Sequence, residues 1–373
     1  MPPFVIDMQR TEDARDVVHR AVQALAEGKL VAFPTETVYG VAASARCPEA
    51  VERVIRSTKR PADSPLTLAV KSADDALDYV PDMSPLAGRL ARRCWPGPVT
   101  LVLDANHPDS LLNALPSGVR KRVAPAGAVR LRAPAHALIQ DVQRMLVGPI
   151  VLAGMRRNGD VEAITATEVT DFLGDEVQMV LDDGRCRYGQ PSTVVRVTNG
   201  QLAISRAGVF SEPTLRRLSR VVILLVCTGN TCRSPMAEAL TRKLLAERLG
   251  CSVEQVEEHG VAVMSAGLSA MFGGRAAPEA VATMAGEGLD LASHVSQPLT
   301  EQLVRNADVL LAMTRAHRDA IVSQWPDAAG RAHLLMKNGQ DVADPIGSPA
   351  EMYERCAAQL KTGLAPWVES LEI

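Results

Sequence analysis

The chain has 373 residues, of which 47% are hydrophobic and 22% are charged, and its formal net charge is −3. A chain of this length is expected to fold as two or more domains, and its near-neutral charge gives no general attraction to nucleic acids or membranes. The seven cysteines are too few for a disulfide framework, and none has zinc-finger spacing with histidine. Neither a signal peptide nor an apolar run of bilayer length is visible, so the sequence predicts a cytoplasmic protein without a membrane partner.

Helices and strands follow one another irregularly in the first part of the chain. Apolar residues recur at helical spacing after Asp13, and short β-branched runs mark the strands. Asn199 and Gly200 are typical of a hairpin turn. Because the order is not a regular βαβ repeat, we expect an α/β domain with a twisted mixed sheet over residues 1–212. The predicted helices span 13–26, 48–56, 86–93 and 136–146, and the predicted strands span 30–33, 66–70, 99–103, 129–132, 150–153, 192–197 and 201–205.

Several motifs in this part share their order and spacing with one family. They are the runs from Phe33 to Gly40 and from Trp95 to Leu103, with shorter matches at 60–61, 65–66, 132–136, 191–195 and 206–208. They resemble the YrdC-type threonylcarbamoyl-AMP synthases, which use threonine, bicarbonate and ATP with magnesium to make a precursor for tRNA modification. The resemblance implies a twisted sheet with a basic concave face. It also implies a ligand site formed by Thr35, Thr37, Arg60, Arg132, Ser192 and Arg206.

The same part departs from the family pattern at positions that serve the substrates. Thr58 stands where a lysine is usual, Gly154-Met155-Arg156 replaces a Ser-Ala-Asn triplet, and Ala69 replaces a common histidine. Losing several contacts to phosphate or to developing charge should leave little synthase activity, although Arg156 and Arg157 could restore some positive charge. We therefore favour a domain that binds a nucleotide or RNA without this chemistry. An active synthase and a plain scaffold are the alternatives.

Residues 213–220 connect the two parts of the chain. They include Arg216, Arg217 and Arg220, and they are too few for a long disordered linker. We expect a short tether whose arginines are solvated.

Strands and helices alternate regularly over residues 221–373. This order predicts a doubly wound, Rossmann-like parallel sheet, which binds ligands at the carboxyl ends of its strands. Cys227 lies at such an end. The predicted strands span 221–226, 261–265, 308–313 and 331–335, and the predicted helices span 234–249, 278–287, 300–306, 315–324 and 349–371.

The loop from Cys227 to Ser234 joins a strand to a helix N-terminus, and this arrangement favours anion binding. A cysteine there is favoured as the reactive thiolate, and Arg233 can hold phosphate oxygens through two hydrogen bonds. Gly229 permits close backbone approach, Asn230 can bridge loop amides and carbonyls, and Ser234 can donate to the thiolate. The same Cys-x5-Arg spacing at Cys47 lacks glycine and lies among acidic residues, so we interpret it as structural.

Asp344 is the only aspartate followed by proline, which gives its carboxyl a rigid mount for acid–base catalysis. Together with the runs 226–239, 265–267 and 307–314, it resembles the low-molecular-weight protein phosphatases. The resemblance implies that Cys227 attacks phosphorus and that Asp344 protonates the leaving group and then activates water, with no cofactor or metal. It also implies that Arg233 and the loop hold the phosphate of a phosphorylated protein, the loop positions being Thr228, Gly229, Asn230, Thr231, Cys232 and Ser234.

Two positions bear on the substrate. Thr231 matches the bacterial protein-arginine phosphatases in this family, and its hydroxyl can accept a hydrogen bond from a guanidinium. Tyrosine-directed members usually carry aromatic residues after Asp-Pro, where this chain has Ile346-Gly347-Ser348. Because the arginine-directed members also tend to have an aromatic at the position of Ile346, we favour phosphoarginine but keep phosphotyrosine as the alternative.

Cys232 could trap an oxidised Cys227 as a disulfide, or it could simply fill space as a small buried side chain. A thiol-dependent arsenate reductase is a minor alternative for this part of the chain. That chemistry relays oxidation through further cysteines, and none occurs between Cys251 and Cys356.

Overall fold

The computed structural model describes residues 3–61, 64–157 and 161–371, with the backbone alone at 156, 157 and 161. The chain forms two compact units, Met1–Leu218 and Ser219–Ile373. Among the described residues, no helix combines the length and the apolar character that crossing a membrane requires.

The first unit is built on a mixed sheet of ten strands in the order β1-β10-β2-β3-β7-β4-β6-β5-β11-β12. The predicted mixed sheet is thus confirmed, as is the hairpin at Asn199-Gly200. The sequence missed β1 and β10, which pair with each other in parallel at one edge. A separate pair is formed by β8 Arg156–Arg157 and β9 Val161–Glu162. The ten strands of the sheet are β1 Phe4–Asp7, β2 Val31–Phe33, β3 Gly40–Ser44, β4 Thr67–Ala69, β5 Val99–Asp104, β6 Ala128–Arg132, β7 Ile150–Gly154, β10 Met179–Asp182, β11 Thr193–Thr198 and β12 Gln201–Arg206.

Seven α-helices accompany this sheet in the described part of the first unit. Asp13 caps the first of them by accepting from the backbone N–H groups of Arg15 and Asp16. The helices are α1 Ala14–Ala26, α2 Pro48–Ser57, α3 Pro85–Cys94, α4 Ser117–Val123, α5 Ala137–Met145, α6 Ala166–Leu173 and α7 Glu212–Ser219. The last helix occupies the segment predicted as a tether, because Leu215 and Leu218 recur at helical spacing and pack on the core of the first unit.

The two faces of the sheet are covered differently. One face carries the larger core, which includes Leu101, Leu131 and Val195. On the other face, α1 and α5 cover only the half that includes β2, β3 and β7. Ala69 of β4 lies in this smaller core and is paired directly with Arg132 of β6, where apolar residues give way to arginine. The open half of this face therefore lies on β6, β5, β11 and β12.

The second unit is a four-stranded parallel sheet, as predicted, and its strands lie in the order β14-β13-β15-β16. Alternate residues of the central strand enter different cores: Leu225 packs under α8, α9 and α12, and Leu224 packs against α10 and α11. The elements are β13 Val221–Cys227, α8 Arg233–Leu249, β14 Val261–Gly267, α9 Pro278–Gly286, α10 Glu301–Asn306, β15 Val309–Ala312, α11 Arg315–Gln324, β16 Ala332–Leu334 and α12 Ala350–Ser370. The carboxyl end of β13 thus lies between two neighbouring strands.

Candidate active site and ligand cleft

The loop after β13 turns its backbone amides toward its own centre. The carbonyl of Cys227 accepts from Leu268 N at 3.0 Å, that of Thr228 from Ser269 N at 2.9 Å. The carbonyl of Thr231 accepts from Ala277 N at 2.9 Å, and that of Asn230 bonds His294 Nε2 at 2.8 Å. Across a trans peptide plane, each carbonyl and the next N–H point in opposite directions. With four carbonyls bonded outward, the N–H groups of residues 228, 229, 231 and 232 face inward, which is a geometry suited to an anion.

Asn230 holds this curl in place. It is fully buried, and its backbone has φ +55°, a left-handed conformation that asparagine adopts more readily than most residues. Its Nδ2 donates to Ser234 Oγ and to Ser265 Oγ, both at 2.9 Å, and its Oδ1 accepts from Gln297 N at 2.9 Å. The side chain therefore ties the loop to the start of α8, to β14 and to the segment before α10.

The sulfur of Cys227 is buried and receives two contacts from the loop. Asn230 N donates to it at 3.3 Å, and Ser234 Oγ lies 3.0 Å away. Ser234 Oγ accepts from Asn230, and its one proton can go either to the sulfur at 3.0 Å or to Ala266 O at 3.5 Å. Asn230 N and the Ser234 hydroxyl therefore both lie within hydrogen-bonding distance of the sulfur.

Arg233 and Asp344 form an ion pair beside this loop, and the structure thereby brings together the three residues for which the sequence predicts catalysis. The Arg233 side chain is only 5% exposed, whereas that of Asp344 is 41% exposed. Arg233 also donates to Val342 O at 3.3 Å and to Thr228 Oγ1 at 3.4 Å. Hydrogen bonds to the protein therefore fix the Arg233 guanidinium, whereas the Asp344 carboxyl group is accessible to solvent.

His317 is a site residue that the sequence analysis missed. It lies in the first turn of α11, is buried, and places Nε2 at 2.9 Å from Thr228 Oγ1. Burial lowers the pKa of His317, and the positive charge of Arg233 lowers it further. One signal could have found it: α11 follows β15, which neighbours β13 in parallel, so the N-terminus of α11 lies at the same edge of the sheet as Cys227.

Thr231 and Cys232 differ in exposure. Thr231 is partly exposed, and its hydroxyl lies 3.6 Å from the position of a Cβ built on Gly229, so the two residues share one side of the loop. Of the residues that the structure describes, none comes close enough to this Cβ position to require glycine at 229. Cys232 is buried, with Sγ 3.6 Å from Tyr353 Oη of α12, and both Cys227 and Cys232 are free thiols.

The second Cys-x5-Arg spacing forms no such loop. Cys47 is the N-cap residue of α2, and its sulfur lies 3.5 Å from Glu49 Oε2. Arg53 donates instead to the carbonyl of Gly28. An adjacent carboxylate disfavours phosphate binding at this position.

In the first unit, five of the six residues implied as a ligand site lie in two hydrogen-bonded groups, and the sixth, Arg60, lines the cleft that these groups border. Thr35 and Thr37 join their hydroxyls at 2.8 Å, and Arg132 donates to Thr37 Oγ1 at 2.9 Å. Arg206 donates to Ser192 Oγ at 3.0 Å. Both groups border one cleft on the open face of the sheet. Its lining includes Arg60, Thr67, Thr100, Arg130, Arg132, Gly154, Glu162, Ser192 and Arg206.

Two acids lie in or beside this basic cleft. Glu36 is paired with Arg132, with Nη2 and Oε1 at 2.6 Å. Glu162 of β9 lines the cleft, is 8% exposed, and was not singled out from the sequence. A Cβ built on Gly154 would lie 2.8 Å from Glu162 Oε2, so this carboxylate fills the space that a side chain at 154 would need.

Where the structure describes them, the side chains at the other positions that depart from the family pattern make contacts within the protein instead of facing the cleft. The hydroxyl of Thr58 donates to Val54 O at 2.6 Å, within its own helix. Lys59 directs its ammonium over the ring of Phe172, and Ala69 is part of the smaller core. The side chains of residues 156 and 157 lie outside the described structure. Among the described residues, no group of three or more His, Cys, Asp or Glu side chains could hold a metal ion.

Comparisons with known proteins divide the chain in the same way. Residues 23–208 match the Sua5/YciO/YrdC family model, described as telomere recombination, and residues 222–373 match the model described as low molecular weight phosphotyrosine protein phosphatase. The chain is 40% identical over 154 residues to a protein-arginine-phosphatase of Bacillus subtilis, covering 40% of this chain and 96% of that protein. It is 39% identical over 147 residues to a probable low molecular weight protein-tyrosine-phosphatase of Ralstonia nicotianae, covering 39% and 92%.

The first unit has its own relative. A threonylcarbamoyl-AMP synthase of Pyrococcus abyssi is 34% identical over 184 residues, covering 49% of this chain. Because the alignment covers 51% of that synthase, this chain matches about half of its length.

Proposed function

Residues 222–373 belong to the low molecular weight protein phosphatase family and follow a Sua5/YrdC domain, and we propose that the chain is a cysteine-dependent phosphoprotein phosphatase that prefers phosphoarginine. One observation carries this proposal: the buried Cys227 sulfur accepts from Asn230 N, lies 3.0 Å from the Ser234 hydroxyl, and belongs to a loop whose amides point inward. The arrangement supports a thiolate nucleophile beside a phosphate cradle.

In the proposed first step, the Cys227 thiolate attacks phosphorus in line. An S–P bond forms while the P–N bond to the arginine side chain breaks, and Asp344 gives its proton to the departing nitrogen. The inward amides and Arg233 hold the three remaining phosphoryl oxygens. In the ligand-free protein the Asp344 carboxylate is paired with Arg233. Phosphate replaces it at the guanidinium, and the released carboxylate takes a proton from solvent before it acts as the acid.

In the second step, water attacks the phosphocysteine. The Asp344 carboxylate takes the proton from this water, the S–P bond breaks, and inorganic phosphate leaves as the thiolate re-forms. The 41% exposure of the Asp344 side chain supports this role, because both the leaving group and the water must reach it from solvent.

The preference for phosphoarginine depends on Thr231 and Ile346. The partly exposed Thr231 hydroxyl can accept from the substrate guanidinium, whereas a branched aliphatic side chain could not. Ile346 is 64% exposed and offers no aromatic wall for a phenyl ring. The named relatives have arginine and tyrosine specificities at nearly equal identity, so phosphotyrosine is the alternative.

Paired assays on a phosphoarginine peptide and a phosphotyrosine peptide test both parts of this proposal. Cys227→Ser and Asp344→Asn should each abolish turnover of both substrates. Thr231→Ile should lower kcat/KM for phosphoarginine relative to phosphotyrosine by about tenfold, the cost of one lost hydrogen bond to a charged group. Thr231→Ser keeps the hydroxyl and should keep the preference; an unchanged ratio in Thr231→Ile would refute the assignment of Thr231.

For the first unit, we propose binding of a nucleotide or RNA without synthase chemistry. The cleft offers arginines and hydroxyls to a phosphate, but the buried Glu162 adds negative charge where a triphosphate would bring more. An active threonylcarbamoyl-AMP synthase is the alternative, favoured by the named synthase relative. Incubation with ATP, magnesium, threonine and bicarbonate separates them: formation of threonylcarbamoyl-AMP and pyrophosphate would refute our proposal, and ATP or RNA binding without product supports it.

A further inference from the structure

Two arginines of the first unit flank a single residue on the open face of the sheet. Val102 of β5 is paired with Arg130 of β6 on one side and with Arg196 of β11 on the other. Directly paired residues project from the same face, so Arg130 and Arg196 stand two strand spacings apart, roughly 10 Å between Cα atoms. Arginine side chains are long enough to bring their guanidinium groups together over this distance.

The two guanidinium groups repel each other. Arg130 is half-buried, and its pKa is lowered by burial and by the positive charge of Arg196. Within the described part of the chain, no hydrogen bond or ion pair joins either side chain to an acceptor. Two neighbouring cations without a counter-charge cost free energy in the ligand-free protein, and an anion between them removes that cost.

Arg130 connects this pair to the cleft. It lines the cleft together with Arg60, Arg132 and Arg206, whereas Arg196 lies beside the cleft and is exposed. The acids of the cleft region lie on its other members, Glu36 on Arg132 and Glu162 against Gly154. Neither of these acids is paired with Arg130 or Arg196.

We infer that Arg130 and Arg196 form a phosphate-binding subsite next to the cleft, which holds a phosphate of a ligand whose remainder lies in the cleft. Neither residue is among the positions that the synthase resemblance implies. The planar guanidinium group of arginine can donate two parallel hydrogen bonds to a phosphate, and two such groups can bind one phosphate from opposite sides. This inference rests on the proposal that the first unit binds a nucleotide or RNA, and the same phosphate chemistry serves both ligands.

Equilibrium binding to the full-length chain tests the subsite. The probes are ATP and a short single-stranded RNA oligomer, and the variants are Arg130→Gln and Arg196→Gln. Arg10→Gln is the matched control, because Arg10 loses the same charge, is 87% exposed and follows β1 at the opposite edge of the sheet. Arg60→Gln reports on the cleft itself.

We expect Arg130→Gln and Arg196→Gln each to weaken binding by about tenfold, the cost of one charge-assisted contact, and Arg10→Gln to leave it unchanged. If ATP alone shows this loss, the ligand is a nucleotide. If RNA shows it, the salt dependence of log Kd should also fall by about 0.7 per phosphate contact removed.

Other results would overturn the inference in distinguishable ways. If Arg60→Gln weakens binding while Arg130→Gln and Arg196→Gln match Arg10→Gln, the cleft binds its ligand and the subsite is refuted. If the unsubstituted chain binds neither probe, both the subsite and the proposed binding function of the first unit are refuted.

Discussion

His317 and Arg233 share one hydroxyl group, that of Thr228. His317 Nε2 lies 2.9 Å from Thr228 Oγ1, and Arg233 Nη2 donates to the same oxygen at 3.4 Å. Because Arg233 can only donate, the single hydroxyl proton of Thr228 is free to go to His317. We infer that the imidazole is neutral with its proton on Nδ1, an atom that is buried without a hydrogen-bond partner among the described residues, and that His317 is a positioning residue that acts on Arg233 through Thr228.

Removing the acceptor at 317 should loosen Arg233 without unfolding the second unit. We expect His317→Ala to lower kcat/KM by about tenfold, mostly through a weaker hold on phosphate and so a higher KM. His317→Gln should restore part of the loss, because its amide oxygen can accept from Thr228. His259→Gln, at an exposed histidine of the same unit, is the control. If the role of His317 were purely structural, His317→Ala and His317→Gln would lower kcat/KM equally, and both would lower the free energy of unfolding.

Acid should disrupt the same contact. The pKa of His317 lies below its ordinary value of 6.5, because burial and Arg233 outweigh the opposing charges of Asp344 and Asp341. The unfolded chain therefore takes up this proton first, so the stabilising contribution is fully present above pH 6.5 and is lost as the pH falls through the lower, folded-state pKa. Once protonated, Nε2 becomes a donor and no longer accepts from Thr228.

This effect can be measured in the pH profiles of kcat/KM and of the free energy of unfolding, both of which should fall on the acidic side. His317→Gln should lose the part of both limbs that His317 contributes, while His259→Gln should keep it. Superimposable profiles for His317→Gln and the unsubstituted chain would contradict the assignment of a neutral imidazole.

Local sequence patterns predicted where most helices and strands lie, but which strands are neighbours in the sheet could be seen only in the structure. The loop at Cys227 and the parallel sheet of the second unit could be predicted because an apolar strand, a loop of small residues and a helix follow one another directly in the sequence. His317 lies 90 residues after Cys227 in the sequence, and it reaches the site only because β15 pairs with β13. Glu162 was missed for a similar reason: nothing near it in sequence indicates that its carboxylate fills the space beside Gly154.

Oxidation should link Cys227 to Cys232. Both thiols are free and belong to one loop, and Cys232 is the N-cap residue of α8. We expect peroxide to inactivate the chain reversibly, with a loss of two hydrogens by mass and recovery on reduction. Cys232→Ser should be inactivated without recovery, because the sulfenic acid on Cys227 then oxidises further. Cys356→Ser is the control, since burial raises the pKa of the Cys356 thiol to about 12 and keeps it unreactive; a disulfide that includes Cys356 would contradict this prediction.

Asn230 should matter for stability through its side chain and its backbone separately. Asn230→Ala loses the hydrogen bonds to Ser234, Ser265 and Gln297 and forces alanine into a left-handed conformation, so we expect a loss of roughly 3 kcal/mol in the free energy of unfolding. Asn230→Gly loses the same bonds but adopts this conformation freely, and it should be about 1 kcal/mol more stable than Asn230→Ala. Urea unfolding of the two variants gives the difference; equal stabilities would show that the backbone at 230 is not strained.

Glu162 should weaken the binding of anions in the first unit. Its carboxylate is buried at the cleft wall, and any phosphate entering the cleft must approach it. Glu162→Gln keeps the size of the side chain and removes the charge, so we expect the affinity for ATP to rise by about tenfold. Glu176→Gln makes the same change at an exposed position and should leave the affinity unchanged. Calorimetric titration of both variants decides the point, with circular dichroism to confirm that Glu162→Gln is folded. If the folded Glu162→Gln variant binds ATP no more tightly than Glu176→Gln, the Glu162 carboxylate does not oppose anion binding. Any weak binding of ATP must then result from the departures from the family pattern at positions 58 and 154, which no longer provide phosphate contacts.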